Sequence, residues 1–164
     1  MKTLIINILA ASLILLTSCG TSETKVEEPV NKVKPVAEKI WEEFTIEALG
    51  NTMMDMKYSL KNISVNAESW VRINLVNKGS DPAMIHNILF VNYNKRADVS
   101  TAAIEAGPEL DYIPKSKDVI AGSKQAKPGE TVTLEFKAPA KGNYEFFCSY
   151  PGHSGKMRGY FFVK

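Results

Sequence analysis

A chain of 164 residues, 45% of them hydrophobic, is long enough for one globular domain with short attachments. Its 20 basic and 18 acidic side chains nearly cancel, and a formal net charge of +2 does not favour nucleic acid as a partner. The chain contains only two cysteines and two histidines, so any chemistry based on these residue types must use very few of them.

The N-terminal stretch MKTLIINILAASLILLTSCG has the pattern of an export signal. Lys2 precedes an apolar run from Leu4 to Leu16, which is shorter than the roughly 20 residues that a membrane-spanning helix needs. The run ends in LTSC, which resembles a bacterial lipobox, where cleavage leaves a lipid-modified cysteine at the new N-terminus. An ordinary signal peptide with a chance cysteine is the alternative. We expect residues 1–18 to be a lipoprotein signal peptide and Cys19 to carry a lipid anchor.

The segment after the signal has the composition of a linker. Residues 19–40 are rich in Glu, Lys, Pro, Thr and Val and contain no aromatic residue, which is typical of a flexible, solvated segment. Pro29 and Pro35 argue against the alternative of an amphipathic helix. We therefore expect the folded domain to cover residues 41–164 and to face the periplasm or the outer surface of the cell.

Short segments with strand-like patterns follow along the domain, and turn-forming residues separate them. These segments are EEFTIEAL, SWVRINLVN, MIHNILFVNY, ETVTLEFKA, NYEFFCS and MRGYFFVK. Their spacing predicts an all-β sandwich or barrel rather than a parallel α/β fold. One stretch, KRADVSTAAIEAGPELDYIPKS, is rich in Ala and Glu up to Gly107-Pro108, so it predicts a short helix or an irregular flap of about ten residues.

The candidate metal ligands are concentrated near the C-terminus, in CSYPGHSGKM. Cys148, His153 and Met157 lie on both sides of a Pro-Gly turn, and thiolate, imidazole and thioether donors together suit copper. A blue-copper centre has two histidines, one cysteine and a weak axial methionine. The other histidine of the chain, His86 within MIHNILFVNY, supplies the missing donor from a predicted strand. A cysteine, histidine or methionine that occurs singly in such a segment is more often a buried core residue than a metal ligand. The four residues together favour binding of a metal ion.

Cysteine use supports the same interpretation. Two cysteines in an exported protein would usually indicate a disulfide. If Cys19 carries a lipid, Cys148 has no partner, and a free thiol in an oxidising compartment is a liability unless a metal uses it.

The ligand loop CSYPGHSGKM closely resembles that of azurins, the small blue copper electron carriers of the cupredoxin family. MIHNILFV resembles their first-histidine strand and SKDVIAGSKQAKPGETVTLEF their approach to the loop, so the likeness covers most of residues 42–164. The resemblance implies a Greek-key β-sandwich or barrel and one copper ion that cycles between Cu(II) and Cu(I). It implies that His86, Cys148 and His153 are strong ligands, Met157 is the weak axial ligand, and Asn87 ties the first-histidine strand to the loop.

The resemblance also implies a monomeric one-electron carrier rather than an enzyme, because four protein ligands leave no open position for a substrate. The expected partners are redox proteins such as c-type cytochromes or a terminal oxidase or reductase. We expect the electron to leave through His153, with Met54, Met84 and Tyr150 as candidates for a surrounding apolar patch. The alternative is a copper storage or delivery lipoprotein, which only the MMDM cluster favours. A copper enzyme would need a second copper and histidines that this chain lacks.

The sequence departs from the azurin pattern in four ways. Ile85 stands where azurins have a glycine whose carbonyl approaches copper, and a side chain there disfavours so close an approach. Lys156 stands in the loop where azurins have an apolar residue, which bears on how partners dock. Ile88 replaces a tryptophan, and the cysteines of the azurin N-terminal disulfide are absent.

Overall fold

A computed structural model describes residues 39–164 of the chain. The expected signal peptide, Cys19 and all but the last two residues of the expected linker lie outside this part. Regular structure in the described part begins at Trp41, where the sequence predicts the domain to start. The elements are β1 (Trp41–Leu49), β2 (Lys57–Tyr58), β3 (Asn62–Val65), β4 (Trp70–Asn77), β5 (Leu89–Asn92), α1 (Arg96–Ala106), β6 (Val119–Gly122), β7 (Thr131–Lys137), β8 (Gly142–Phe147) and β9 (Arg158–Val163).

The strands form two sheets, which confirms the predicted all-β sandwich. One sheet has the order β2-β1-β4-β7 and the other has the order β3-β9-β8-β5-β6. The β1–β4 and β3–β9 pairs are parallel, whereas the remaining neighbours are antiparallel. β2, β3 and β6 were not among the predicted strands, because each has only two to four residues.

The core lies between the sheets and follows the alternation seen in the sequence. Val71, Ile73 and Leu75 of β4 are fully buried. The facing sheet contributes Phe90 and Phe161, whose ring centroids lie 5.0 Å apart. Burial of apolar side chains stabilises a fold by about 25 cal/mol per Å² removed from water, so this packing holds the frame to which the ligand segments are attached.

The prediction that His86 lies in a strand was wrong. Regular pairing begins only at Leu89, and His86 forms an isolated bridge with Ala126 through N–O distances of 3.1 and 2.7 Å. The reason is that side chains form hydrogen bonds with backbone groups on both sides of His86. The Asn77 amide donates to the Met84 carbonyl, and the Ser123 hydroxyl accepts from Ile88 N–H. These partners replace a neighbouring strand, so the segment is extended but not part of a ladder.

The predicted helix is confirmed as α1, which has 11 residues and ends before Gly107. A 3₁₀ turn (Pro108–Leu110) follows, and Asp111 and Tyr112 then adopt left-handed φ angles of 52° and 54°. No helix in residues 39–164 is long and apolar enough to cross a membrane.

Candidate metal centre

The ligand loop is closed by the ends of two paired strands. Cys148 directly follows β8 and Met157 directly precedes β9, and the two strands pair with Phe147 opposite Arg158. The Cys148 N–H donates to the Met157 carbonyl at 2.9 Å, which extends the ladder by one more bond. The ten-residue loop therefore starts and ends at one point of the sheet.

Hydrogen bonds within the loop turn His153 back toward Cys148. His153 N–H donates to the Tyr150 carbonyl at 3.0 Å, and the His153 carbonyl accepts from Lys156 and Met157 N–H at 3.1 and 3.0 Å. Gly152 has a φ of 84°, a left-handed conformation that glycine adopts without a steric penalty. The Pro-Gly turn in the sequence thus has a direct role in aiming the histidine.

The side chains of His86, Cys148 and His153 converge on one point. The Nδ1 atoms of the two histidines are 3.2 Å apart, and the Cys148 Sγ is 3.9 Å from His86 Nδ1 and 3.6 Å from His153 Nδ1. A point in the plane of these three atoms lies about 2.1 Å from each of them, which matches metal–nitrogen bonds of about 2.0–2.1 Å and is about 0.2 Å shorter than a metal–thiolate bond of about 2.3 Å. The three residues could therefore hold one metal ion in their common plane.

All four predicted ligands are buried. His86, Cys148 and Met157 are fully buried and His153 is 1% exposed. Two imidazoles, a thiolate and a thioether form the donor set of a blue-copper centre, so the residues fit copper. Ile85 lies beside His86 and is half-buried, with its N–H donating to the Ala83 carbonyl at 3.0 Å.

Asn87 joins the His86 segment to the ligand loop. Its Nδ2 donates to Ser149 Oγ at 2.8 Å and to the Asp111 carbonyl at 2.7 Å, and its Oδ1 accepts from Ser149 N–H at 2.9 Å. The Ser149 hydroxyl in turn donates to the Tyr112 carbonyl at 2.8 Å. One amide thus links three segments, and the two left-handed residues after α1 are part of the same network.

Two further buried side chains, which the sequence analysis missed, support the His86 segment. The Asn77 Nδ2 donates to the carbonyls of Met84 and Ala126 at 2.7 and 2.9 Å, and its Oδ1 accepts from Gly79 N–H at 2.9 Å. The hydroxyl of Tyr58 donates to the Asn87 carbonyl. Neither residue belongs to a sequence pattern that marks it, because the contacts depend on how β4 and β2 pack against the His86 segment.

The electrostatics favour an uncharged site before metal binds. Burial lowers the pKa of His153 to about 4, and burial together with the charge of His153 lowers the pKa of His86 to about 4. Burial raises the pKa of the Cys148 thiol to about 11. At neutral pH both imidazoles are therefore free to bind a cation, whereas the thiol must lose its proton, so metal binding releases a proton.

The residues expected to surround His153 differ in exposure. Met54 is 77% exposed, Tyr150 is half-buried with its ring centroid 4.8 Å from that of His153, and Met84 is only 6% exposed. Met53, which the sequence analysis did not place in the patch, is 45% exposed, and its Cε would lie 2.8 Å from a Cβ at Gly152. The exposed apolar surface beside His153 therefore includes Met53, and Met84 adds little to it.

Comparisons with known proteins agree with this geometry. Residues 45–164 match the family of copper binding proteins described as the plastocyanin/azurin family. The chain is 33% identical to auracyanin-A of Chloroflexus aurantiacus over 118 residues, which are 70% of this chain and 71% of that protein. It is 34% identical to an azurin of Pseudomonas chlororaphis over 111 residues, which are 63% of this chain and 87% of that protein.

Solved structures show the same similarity. The structure of auracyanin A, a blue copper protein from Chloroflexus aurantiacus, aligns with a TM-score of 0.68 at 29% identity and covers 76% of this chain and 99% of that one. An azurin from Methylomonas sp. strain J aligns with a TM-score of 0.66 at 33% identity and covers 74% of this chain and 97% of that one.

Proposed function

The chain belongs to the plastocyanin/azurin family of copper-binding proteins, and from this we propose that it is a lipid-anchored carrier of single electrons between respiratory redox proteins. The observation that carries the proposal is the convergence of the His86, Cys148 and His153 donor atoms within 4.8 Å of one another in a buried site. We assign these three residues as strong copper ligands and Met157 as the weak axial ligand.

The bound copper supplies a one-electron couple, since it alternates between Cu(II) and Cu(I). The protein's contribution is to keep the donors in one arrangement for both oxidation states. The backbone hydrogen bond between Cys148 and Met157 and the hydrogen bonds within the loop fix Cys148 and His153 relative to the sheet. Asn87 fixes the distance between the loop and the His86 segment through Ser149. A donor set that moves little requires little reorganisation when an electron arrives or leaves.

A carrier fits the centre better than an enzyme or a storage protein. Four donors around one buried point leave no position for a substrate, whereas catalytic metal sites keep one. The MMDM motif does not form a cluster of exposed thioethers, because Met56 is 3% exposed and packs in the core, whereas Met53 and Met54 point outward. We place the electron exit beside His153, where Tyr150 and the exposed Met53 and Met54 supply the apolar surface.

The anchor is proposed from the sequence. The lipobox-like LTSC at Cys19 and the Pro-rich, charged segment that follows it support export, lipidation and a membrane tether that faces the periplasm or the outer surface of the cell. C-type cytochromes and terminal oxidases or reductases are the partners we propose, because they exchange single electrons in that location.

The two cysteines provide a matched test of both parts of the proposal. In the copper-loaded protein, Cys148→Ser should abolish the intense visible band of the Cu(II)–thiolate bond and leave the protein in the membrane fraction. Cys19→Ser should keep the band and abolish the incorporation of radiolabelled palmitate, which the native protein should take up. A Cys148→Ser protein that keeps the band would disprove the ligand assignment, and a native protein that takes up no palmitate would disprove the anchor.

A further inference from the structure

A groove of about 440 Å³ opens beside the ligand loop, between the loop, the start of β9 and the residues before β3. Lys61, Lys156 and Arg158 line it, together with Gly159 and the buried carboxylate of Glu145. Lys156 lies between the proposed ligands His153 and Met157 in sequence, and Arg158 directly follows Met157. The groove therefore lies beside the copper centre, and Lys156, whose Nζ donates to the Met54 carbonyl, joins it to the surface formed by Met53 and Met54.

The backbone holds the cationic side chains close together. Tyr160 N–H donates to the Lys61 carbonyl at 2.8 Å, and the Lys61 Nζ donates to the Lys156 carbonyl at 3.4 Å. A Cβ at Gly159 would lie 2.4 Å from the Lys61 carbonyl oxygen, so the glycine is what allows β9 to approach this backbone so closely. Lys61 and Arg158 therefore lie on closely paired backbone segments.

These charges are not neutralised within the described residues. None of Lys61, Lys156 and Arg158 forms an ion pair within 4.0 Å in the range 39–164. Glu145 is buried (7% exposed), and its Oε1 lies 3.9 Å from Arg96 Nε. Its negative charge is therefore paired with Arg96 rather than with a cation of the groove. The groove thus presents a net positive rim.

The nearest segment on the other side of Lys156 does not cancel this charge either. The Lys156 Nζ donates to the Met54 carbonyl at 2.6 Å, a neutral group. The carboxylate of Asp55, the next residue, accepts from Thr52 N–H at 2.7 Å and from the Thr52 hydroxyl at 2.6 Å, and within residues 39–164 it forms no ion pair with a cation of the groove.

We propose that this groove is the docking surface for a redox protein that presents carboxylate groups, and that it selects partners by charge. This inference rests on the proposed electron-carrier function and names the chemistry of the partner. Clustered charges of one sign raise association rates by 10- to 1,000-fold at low ionic strength, and the gain falls as salt is added. A partner seated here contacts the residues on both sides of Met157, whose carbonyl accepts from the Cys148 N–H at 2.9 Å.

Small redox reagents of opposite charge test the groove directly. Hexacyanoferrate(III) is an anion and tris(phenanthroline)cobalt(III) is a cation, and each takes one electron from Cu(I) to give Cu(II) and the reduced reagent. We would compare Lys61→Glu/Arg158→Glu with the control Lys117→Glu/Lys141→Glu, which alters the net charge equally at exposed lysines outside the groove. At low ionic strength, oxidation by hexacyanoferrate(III) should slow about tenfold or more in the groove variant and about threefold or less in the control. Added salt should remove the difference.

Equal slowing in the two variants would overturn the proposal, since net charge rather than the groove would then set the rate. The cationic cobalt reagent should oxidise the groove variant faster than the control. Equal rates for the two variants with this reagent would count against the groove. Failure of the native protein to give up an electron to either reagent would instead disprove the proposed carrier function.

The site of contact can be mapped independently. Hexacyanochromate(III) is a paramagnetic anion that does not exchange electrons here, and it should broaden NMR signals of residues around Lys61 and Arg158 in the Cu(I) protein. Broadening confined to the Met53–Met54 surface would overturn the assignment. Vesicles of phosphatidylglycerol test the alternative that the groove faces the membrane. That alternative would be shown if the groove variant lost vesicle binding, the control kept it, and both variants reacted with hexacyanoferrate(III) at the native rate.

Discussion

The loop from Cys148 to Met157 and the segment from Met84 to Ile88 both bring donors to the metal centre, but their backbones are fixed by different partners. The loop is held mainly by hydrogen bonds among its own residues and by the ends of β8 and β9, and side chains such as Asn87 add to these. The His86 segment has its partners outside itself, namely Asn77, Tyr58 and Ala126. A ligand site can thus combine one part that folds locally with another that depends on the whole sandwich.

The largest contrast is expected when each histidine is removed in turn. Both His153→Gly and His86→Gly should lose the intense band of the copper-loaded protein. Added imidazole should restore it in His153→Gly, because the loop lies at the surface between the exposed Gly152 and Gly155. Rescue should be much weaker in His86→Gly, since His86 is fully buried and bridged to Ala126. Equal rescue of the two variants, measured by visible absorption, would contradict this contrast.

Acid should weaken the copper-free protein through both histidines together. Their folded pKa values of about 4 lie below the unfolded value of 6.5, so the unfolded chain binds protons first as the pH falls. Stability that is present above pH 6.5 is therefore lost progressively between pH 6.5 and 4, by on the order of several kcal/mol.

Urea unfolding at a series of pH values measures this loss. The matched control is His86→Gln/His153→Gln, in which the two titrating groups are absent and the carboxylates remain. Its unfolding free energy should fall less steeply over the same pH range. Parallel curves for the two proteins would show that other groups cause the acid sensitivity.

Asn77→Ala should damage the support of the His86 segment. The substitution leaves the buried Met84 carbonyl and the Gly79 N–H without their partner and removes one of the two donors to the Ala126 carbonyl, which should cost about 2–4 kcal/mol of unfolding free energy. Asn74→Ala is the control on the same strand, because its partners Glu43 and Thr133 are exposed. Its expected cost is about 1 kcal/mol or less. Chemical denaturation of the copper-free variants would compare them, and similar losses would refute the role of Asn77.

Tyr58→Phe should have the smallest effect. It removes the hydroxyl that donates to the Asn87 carbonyl and leaves that buried oxygen unpaired, at a cost of about 1–3 kcal/mol. The reduction potential of the copper should also shift, because Asn87 connects to Ser149 beside Cys148. Tyr144→Phe, whose hydroxyl donates to the Ala140 carbonyl at the surface, should leave the potential unchanged. An unshifted potential in Tyr58→Phe would confine that residue to a packing role.

The contrast between the two segments also explains what the sequence could predict. Three donors of the loop are visible in ten residues, because a Pro-Gly turn between two strands brings nearby residues together. His86 could be found only by counting histidines, and its surroundings were predicted wrongly, since a strand pattern does not reveal that Asn77 and Ser123 pair with the backbone. The left-handed Asp111 and Tyr112 carry no sequence signal for their contacts with Asn87 and Ser149.

The most direct test of the copper assignment is the visible spectrum of the protein after addition of Cu(II), recorded during titration with ascorbate. Coordination by Cys148 and two histidines predicts an intense blue band that bleaches on reduction and returns on reoxidation. A pale or colourless protein with Cu(II) bound, or a protein that takes up only Cu(I), would contradict the electron-carrier assignment and favour copper storage or delivery.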